Sequence, residues 1–183
     1  MSISVAVLDH GMGNLRSVAK ALEAAGARVS VTDEPDVIDG ADALCVPGQG
    51  IFGRCMSNVP AALLEGWIAA QRPYLGICLG MQILFERSEE GGEGLGILEG
   101  AVTKLPTGVT VPHIGWNTVG DRYFYFDHSY AAHATEDVVV GWCEHGERFA
   151  AWVRQGSVTG VQFHPEKSGR AGIDLLKGWL AGL

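Results

Sequence analysis

Residues 72–90 read RPYLGICLGMQILFERSEE. The first seven form a short apolar run bounded by proline and glycine, which suits a buried strand. It ends on a cysteine between two glycines, and residues 79–90 read as a helix leaving directly from that cysteine. A strand that feeds straight into a helix is the repeating unit of a parallel sheet. The preceding sequence repeats it. ISVAVLD (3–9) is rich in β-branched residues and reads as a strand. Residues 14–26, NLRSVAKALEAAG, place Leu15, Val18, Leu22 and Ala25 at helical spacing, with Asn14 as N-cap and Gly26 just past the end. ARVSVT (27–32) and ADALCVP (41–47) are further strands, PGQGIFG (47–53) a loop, and residues 60–71 a helix.

Past residue 95 short strands follow one another: ILEGAVTKL, RYFYFDHSY, DVVVGWCE, RFAAWVRQG and SVTGVQFHP, before a last helix in GIDLLKGWLAGL. The expected fold class is α/β: an open mixed sheet, parallel at its centre and flanked by helices, with a strand-rich second half. No linker, repeat or low-complexity run interrupts residues 1–183, so a single domain is expected. At 183 residues and 47% hydrophobic content the chain can bury a substantial core. Its 26 glycines are roughly twice the usual share of about 7% and announce tight turns and close backbone approaches.

A net charge of −8 excludes the clustered cations of a nucleic-acid binder. No apolar run reaches the roughly 18 residues of a membrane span. The start, MSISVAVLDHG, lacks a basic segment and meets Asp9 too early for a signal peptide, so a cytoplasmic chain is expected. Its four cysteines lack metal or redox spacing and should be reduced thiols. Cys45 and Cys143 read as buried structural thiols, and Cys55 falls in a loop or early helix. His128 and His133 do not share a helical face, which gives no zinc spacing. His113 and His145 read as surface or satisfied polar residues. No metal or cofactor is expected.

Cys78 is different. GICLG has the form G-x-C-x-G, akin to the elbow that lifts a nucleophile onto a strained strand-to-helix turn. The Leu79 N–H would then face the site where an oxyanion forms, and the first helical turn would favour the thiolate. The plain alternative is a small core residue between turn glycines. HPEKS (164–168) supplies a base and an acid: His164 and Glu166, two apart in an extended segment, would share one face, with extension favoured before proline. A surface His beside a solvated Glu is the alternative there. PGQG, directly after a strand, could supply a second oxyanion N–H, or be an ordinary turn.

Taken together, GICLGMQ, the downstream HPEKS and the upstream PGQG resemble the class I (triad) glutamine amidotransferases. DHGMGNLRSV, VPHIGWN, YFDHSY and GVQFHPEKS resemble, within them, the histidine-biosynthesis branch of imidazole glycerol phosphate synthase glutaminases. The similarity runs from the first strand to the last helix. It implies a glutaminase that cleaves L-glutamine to glutamate and ammonia through a cysteinyl thioester. It makes Cys78 the nucleophile, His164 the base and acid, and Glu166 its orienting partner. Leu79 with the Gln49–Gly50 segment would form the oxyanion hole, and Gly48, Gln82, Ser129 and Tyr130 would hold the substrate. It also implies a heterodimer with a (β/α)8-barrel cyclase that receives the ammonia, with Asn14, Trp116, Asn117 and Lys167 as candidate interface residues.

The sequence departs from that family where His10 stands for a tyrosine, Gln49 for a small apolar residue and Ala131 for an aromatic. The segment between HIGWNTV and RYFYF is reduced to a Gly120–Asp121 turn. A glutaminase serving a pyridoxal-phosphate or purine synthase, or a silent module regulating a partner, are the alternative readings. A cysteine peptidase would need an extended cleft.

Overall fold

The apolar runs at 4–8, 43–48 and 74–78 have no polar side to offer water. In the computed structural model, which describes residues 2–183, they lie together at the centre of one sheet. Strands β1 (Ser4–Leu8), β2 (Arg28–Thr32), β3 (Ala43–Gly48) and β4 (Tyr74–Cys78) are parallel, in the order β2-β1-β3-β4. Their side chains alternate between two apolar layers. Val5, Val7, Cys45, Leu75 and Ile77 face α1 (Leu15–Ala25) and the C-terminal α6 (Gly169–Ala181). Ala6, Leu8, Leu44, Val46 and Tyr74 face α2 (Pro35–Asp39), α3 (Phe52–Asn58) and α4 (Ala61–Ala69). At about 1.5–3 kcal/mol for each fully buried large side chain, these two layers supply the main favourable term.

The second half extends the sheet. β12 (Val158–Val161) returns parallel to β4, and β11 (Arg148–Gln155), β9 (Tyr130–Ala134) and β6 (Leu98–Lys104) continue it antiparallel. β5 (Phe85–Ser88) closes that edge parallel to β6, and β10 (Val139–Glu144) pairs with β11. β7 (His113–Val119) and β8 (Arg122–His128) form a separate two-stranded ribbon, joined by the Gly120–Asp121 turn. The ribbon buries Phe124 and Phe126 in the layer shared with α1 and α6.

Three expectations are corrected. The helix after Cys78 is only α5 (Leu79–Gln82), not 79–90. Its extension is blocked because the Ile83 carbonyl accepts from Leu95 N–H and the Leu84 carbonyl from Ile97 and Leu98 N–H, at 2.8–2.9 Å. Residues 83–85 are all fully buried, which sheet-edge packing allows and one helix face does not. The loop expected over 47–53 is cut short by α3, whose Phe52 and Cys55 fill the second apolar layer. The His-Pro-Glu segment is not extended throughout. His164 is, but Pro165–Lys167 form a 3-10 turn, with Lys167 N–H donating to His164 O at 3.0 Å.

Glycine decides how closely layers approach. A Cβ on Gly80 would overlap the Val46 carbonyl, whereas one on Gly66, in the exposed face of α4, would meet nothing within 4 Å. Gly80→Ala should therefore cost about 3 kcal/mol or more, and Gly66→Ala should stabilise by about 0.5–1 kcal/mol. Urea unfolding of the two variants, read by circular dichroism, checks both signs.

Candidate active site

Cys78 ends β4 with φ 55° and ψ −108°, a conformation that costs a non-glycine residue about 1–3 kcal/mol. Its surroundings leave no relaxed alternative. A Cβ on Gly76 would overlap the Gly80 carbonyl, and one on Gly48, the register neighbour of Cys78, would come within 2.7 Å of Leu79 Cβ. The buried Tyr74 hydroxyl donates to Gly80 O at 2.7 Å. Leu79 follows Cys78 in the first turn of α5, and among the described residues the N–H groups of Gln49 and Gly50 donate to no backbone carbonyl. All three residues line one cavity with Cys78.

β12 runs beside β4 with Val161 opposite Ile77, so the chain leaves the sheet next to Cys78 and delivers His164 there. His164 is anchored through its backbone: its N–H donates to Tyr125 O at 2.8 Å, and its carbonyl accepts from Ser168 Oγ at 2.6 Å. Ser168 Oγ in turn accepts from Tyr125 N–H at 2.9 Å. The 3-10 turn rests on α6, where a Cβ on Gly172 would overlap the Pro165 carbonyl. His164 Nδ1 lies 2.7 Å from Glu166 Oε1, with both side chains buried. Nε2 is buried, closes no hydrogen bond, and lies near enough to Cys78 for the sulfur to influence it. Burial alone would lower the His164 pKa, but the Cys78 sulfur and the Glu166 carboxylate, both of which favour the charged ring, outweigh it and raise the pKa to about 10.

The cavity holds about 280 Å³. That lies near the lower end of the roughly 300–1,000 Å³ of small-ligand sites and suits one amino acid rather than a peptide. Gln82, Ser129 and Tyr130 line it; Gly48 supports the turn from behind, packed on Leu79. The Gln49 side chain turns across the mouth and donates to Asp127 Oδ2 at 2.9 Å, and Lys167 Nζ reaches the same oxygen at 3.3 Å. Gly50 has φ 119°, which lets the loop bend beside the sulfur. His10 takes a structural place, with Nε2 2.6 Å from the Pro47 carbonyl.

Four cavity or near-cavity residues escaped the reading of the sequence. Glu90 falls at the end of the stretch read as a helix over 79–90, but its carboxylate lines the cavity and accepts from Phe52 N–H at 2.7 Å. Asp127 faces the cavity from the ribbon. Gln162 is fully buried with Nε2 3.6 Å from Cys78 Sγ, and a lone amide inside the apolar VQF was its signal. His128 is buried against Tyr130 O. The candidate interface residues divide. Trp116 is exposed on the outer face of the ribbon, packed edge-on to Tyr125, and Lys167 lies over the same Tyr125 ring. Asn117, the next residue on a strand, points inward to His113 and Glu144 O. Asn14 caps α1, accepting from Ser17 N–H at 3.3 Å.

Residues 6–180 match the family described as glutamine amidotransferase class-I. The chain is 45% identical over 196 residues to the imidazole glycerol phosphate synthase subunit HisH of Moorella thermoacetica, covering 94% of this chain and 92% of that one. It is 45% identical over 210 residues to the HisH subunit of Leifsonia xyli subsp. xyli, covering 100% of both. Among solved structures, a glutamine amidotransferase aligns with TM-score 0.73 at 22% identity, over 98% of this chain and 99% of that one. PurLQS from Thermotoga maritima aligns with TM-score 0.74 at 18% identity, over 100% and 99%. At such identities these two structures speak for the fold alone.

The histidines give stability an optimum in pH. The folded pKa of His164, about 10, lies above the ordinary 6.5, so its contribution is whole below pH 6.5 and is lost as pH rises through about 10. Burial pushes His113 down to about 4 and His128 to about 3, so the unfolded chain binds extra protons as pH falls below 6.5 and stability drops there. Urea midpoints measured from pH 4 to 10 should peak near neutrality, and Glu166→Gln should weaken the fall on the alkaline side.

Proposed function

The chain belongs to the class-I glutamine amidotransferase family, and we propose that it is the glutaminase subunit of an imidazole glycerol phosphate synthase, supplying ammonia for histidine biosynthesis. The reading rests above all on one observation: Cys78, His164 and Glu166 meet at the carboxyl ends of β4 and β12 beside a cavity the size of an amino acid. Cys78 Sγ attacks the side-chain amide carbon of L-glutamine. The negative charge that moves to the amide oxygen is met by Leu79 N–H and an N–H of the Gln49–Gly50 segment. The thiol proton passes to His164, whose charged ring Glu166 stabilises, and then to the departing nitrogen, which leaves as ammonia. Water, activated by His164, opens the remaining thioester to glutamate. Gln82 and the Ser129–Tyr130 segment hold the amino-acid end of the substrate. The Glu90 carboxylate is the natural counter-ion for its α-ammonium.

Ammonia in neutral water is mostly ammonium, which has no lone pair for attack. A synthase of this kind therefore needs the nitrogen delivered directly to its acceptor site. We place a (β/α)8-barrel cyclase, as partner in a heterodimer, on the outer face of the β7–β8 ribbon around Trp116 and Lys167. Asn14 and Asn117 would support that face through their caps and inward hydrogen bonds. The protein would act as one domain in the cytoplasm. No helix among the described residues is long and apolar enough to cross a membrane.

Cys78→Ala should lower glutamine hydrolysis by more than about 10⁴-fold, while the complex still makes product from added ammonium salt. Loss of both activities together would make Cys78 a structural residue and end this reading. Trp116→Ala should weaken association with the cyclase subunit by about 2 kcal/mol or more in a calorimetric titration, with the melting temperature of the isolated chain unchanged.

A further inference from the structure

A carbonyl oxygen can only accept, and one such atom fixes the direction of every polar group around it. Tyr130 O takes two hydrogen bonds, from Gln82 Nε2 at 2.9 Å and from His128 Nδ1 at 2.8 Å. On the cysteine side, Gln82 thus turns its amide nitrogen to Tyr130, and the same nitrogen donates to Gln162 Oε1 at 2.9 Å. With its oxygen engaged there, Gln162 presents its nitrogen to Cys78 Sγ at 3.6 Å. On the ribbon side, a proton on His128 Nδ1 leaves Nε2 as an acceptor. That acceptor meets His113 Nδ1 at 2.9 Å, and His113 Nε2 then accepts from Asn117 Nδ2 at 3.2 Å.

The far end is oriented independently. Asn117 Nδ2 also donates to Glu144 O at 3.0 Å, and its Oδ1 accepts from Thr118 N–H at 2.8 Å. Both ends therefore demand the same polarity, and the chain is consistent from Asn117 to the sulfur. Neutral rings are required throughout, in keeping with the downward push that burial gives both histidines. Gln162 is fully buried, so its amide has no solvent to satisfy it.

We propose that Gln162 is a positioning residue for amide cleavage, holding an N–H on the Cys78 sulfur, and that the His128–His113–Asn117 chain ties this donor to the β7–β8 ribbon. The proposal rests on the reading of Cys78 as the nucleophile. A donor aimed at sulfur restricts the direction from which it attacks, and it grips the sulfur anion more tightly than the neutral thiol. The chain gives the ribbon a route to the sulfur separate from the Tyr125 contacts that anchor His164.

Two measurements test it. In the wild-type chain, ¹⁵N spectra of labelled histidine should show His113 and His128 neutral with the proton on Nδ1, the less common form of free imidazole. An Nε2–H form at either ring breaks the chain and overturns the link to the ribbon. In Gln162→Leu and Gln162→Met, which keep bulk and lose the donor, alkylation of Cys78 by iodoacetamide at fixed pH should slow roughly 10- to 150-fold, the size of a lost hydrogen bond to a charged group. The kcat for glutamine should fall in step with an unchanged KM. The other thiols interfere little: burial pushes Cys55 and Cys143 up to about 12 and Cys45 higher still. Wild-type alkylation rates in variants that keep the wild-type melting temperature would overturn the role of Gln162. That result alongside an inactive Cys78→Ala would sink this inference alone, whereas an active Cys78→Ala would sink the function beneath it.

Discussion

The contact between Gly80 and the Val46 carbonyl governs the rest of the molecule. It draws the first turn of α5 down onto β3, closer than any side chain would allow. The chain can enter that turn only by taking Cys78 through a positive φ. Strain of about 1–3 kcal/mol at one residue is small beside the burial of Tyr74, Leu75, Ile77, Leu79 and Met81 around it, each contributing about 1.5–3 kcal/mol. The sulfur is thus exposed to the cavity by packing that lies behind it. A geometry of this kind is rigid because the core, and not the site, holds it.

Histidine appears here in opposite electrical states for physical reasons that can be named. His164 faces a carboxylate and a sulfur, and holds its proton. His113 and His128 face each other, a carbonyl and an amide, and burial keeps them neutral. The same ring holds a proton at one position and serves as a directional hydrogen-bond link at another. Neither state follows from the residue type; both follow from what each nitrogen meets.

Much of this was legible in the sequence, and what was not shares a cause. The parallel half could be read because its strands are continuous apolar runs, which only a twice-covered sheet can bury. Cys78 and the HPE segment stood out because glycine and proline constrain the backbone locally. The end of α5 was hidden because its carbonyls are captured by residues 95–98, beyond any local pattern. α3 was hidden because its helix is held by the burial of Phe52 and Cys55 and not by propensity. Glu90, Asp127 and Gln162 gain their places from pairings 38 to 84 residues away along the chain. The inward turn of Asn117 was open to reading, since an outward Trp116 on a strand requires it, but HIGWN had not been recognised as a strand.

The ribbon leaves Ile114, Trp116 and Tyr123 more than half exposed. These three belong to the outer side of a two-stranded element, where large apolar groups in water favour self-adhesion. With the cyclase docked there as proposed, a cell that makes this polypeptide in excess accumulates molecules with an uncovered adhesive strip. On that reading, balanced synthesis of the two subunits protects solubility as well as catalysis, and recombinant yield should be governed by subunit stoichiometry.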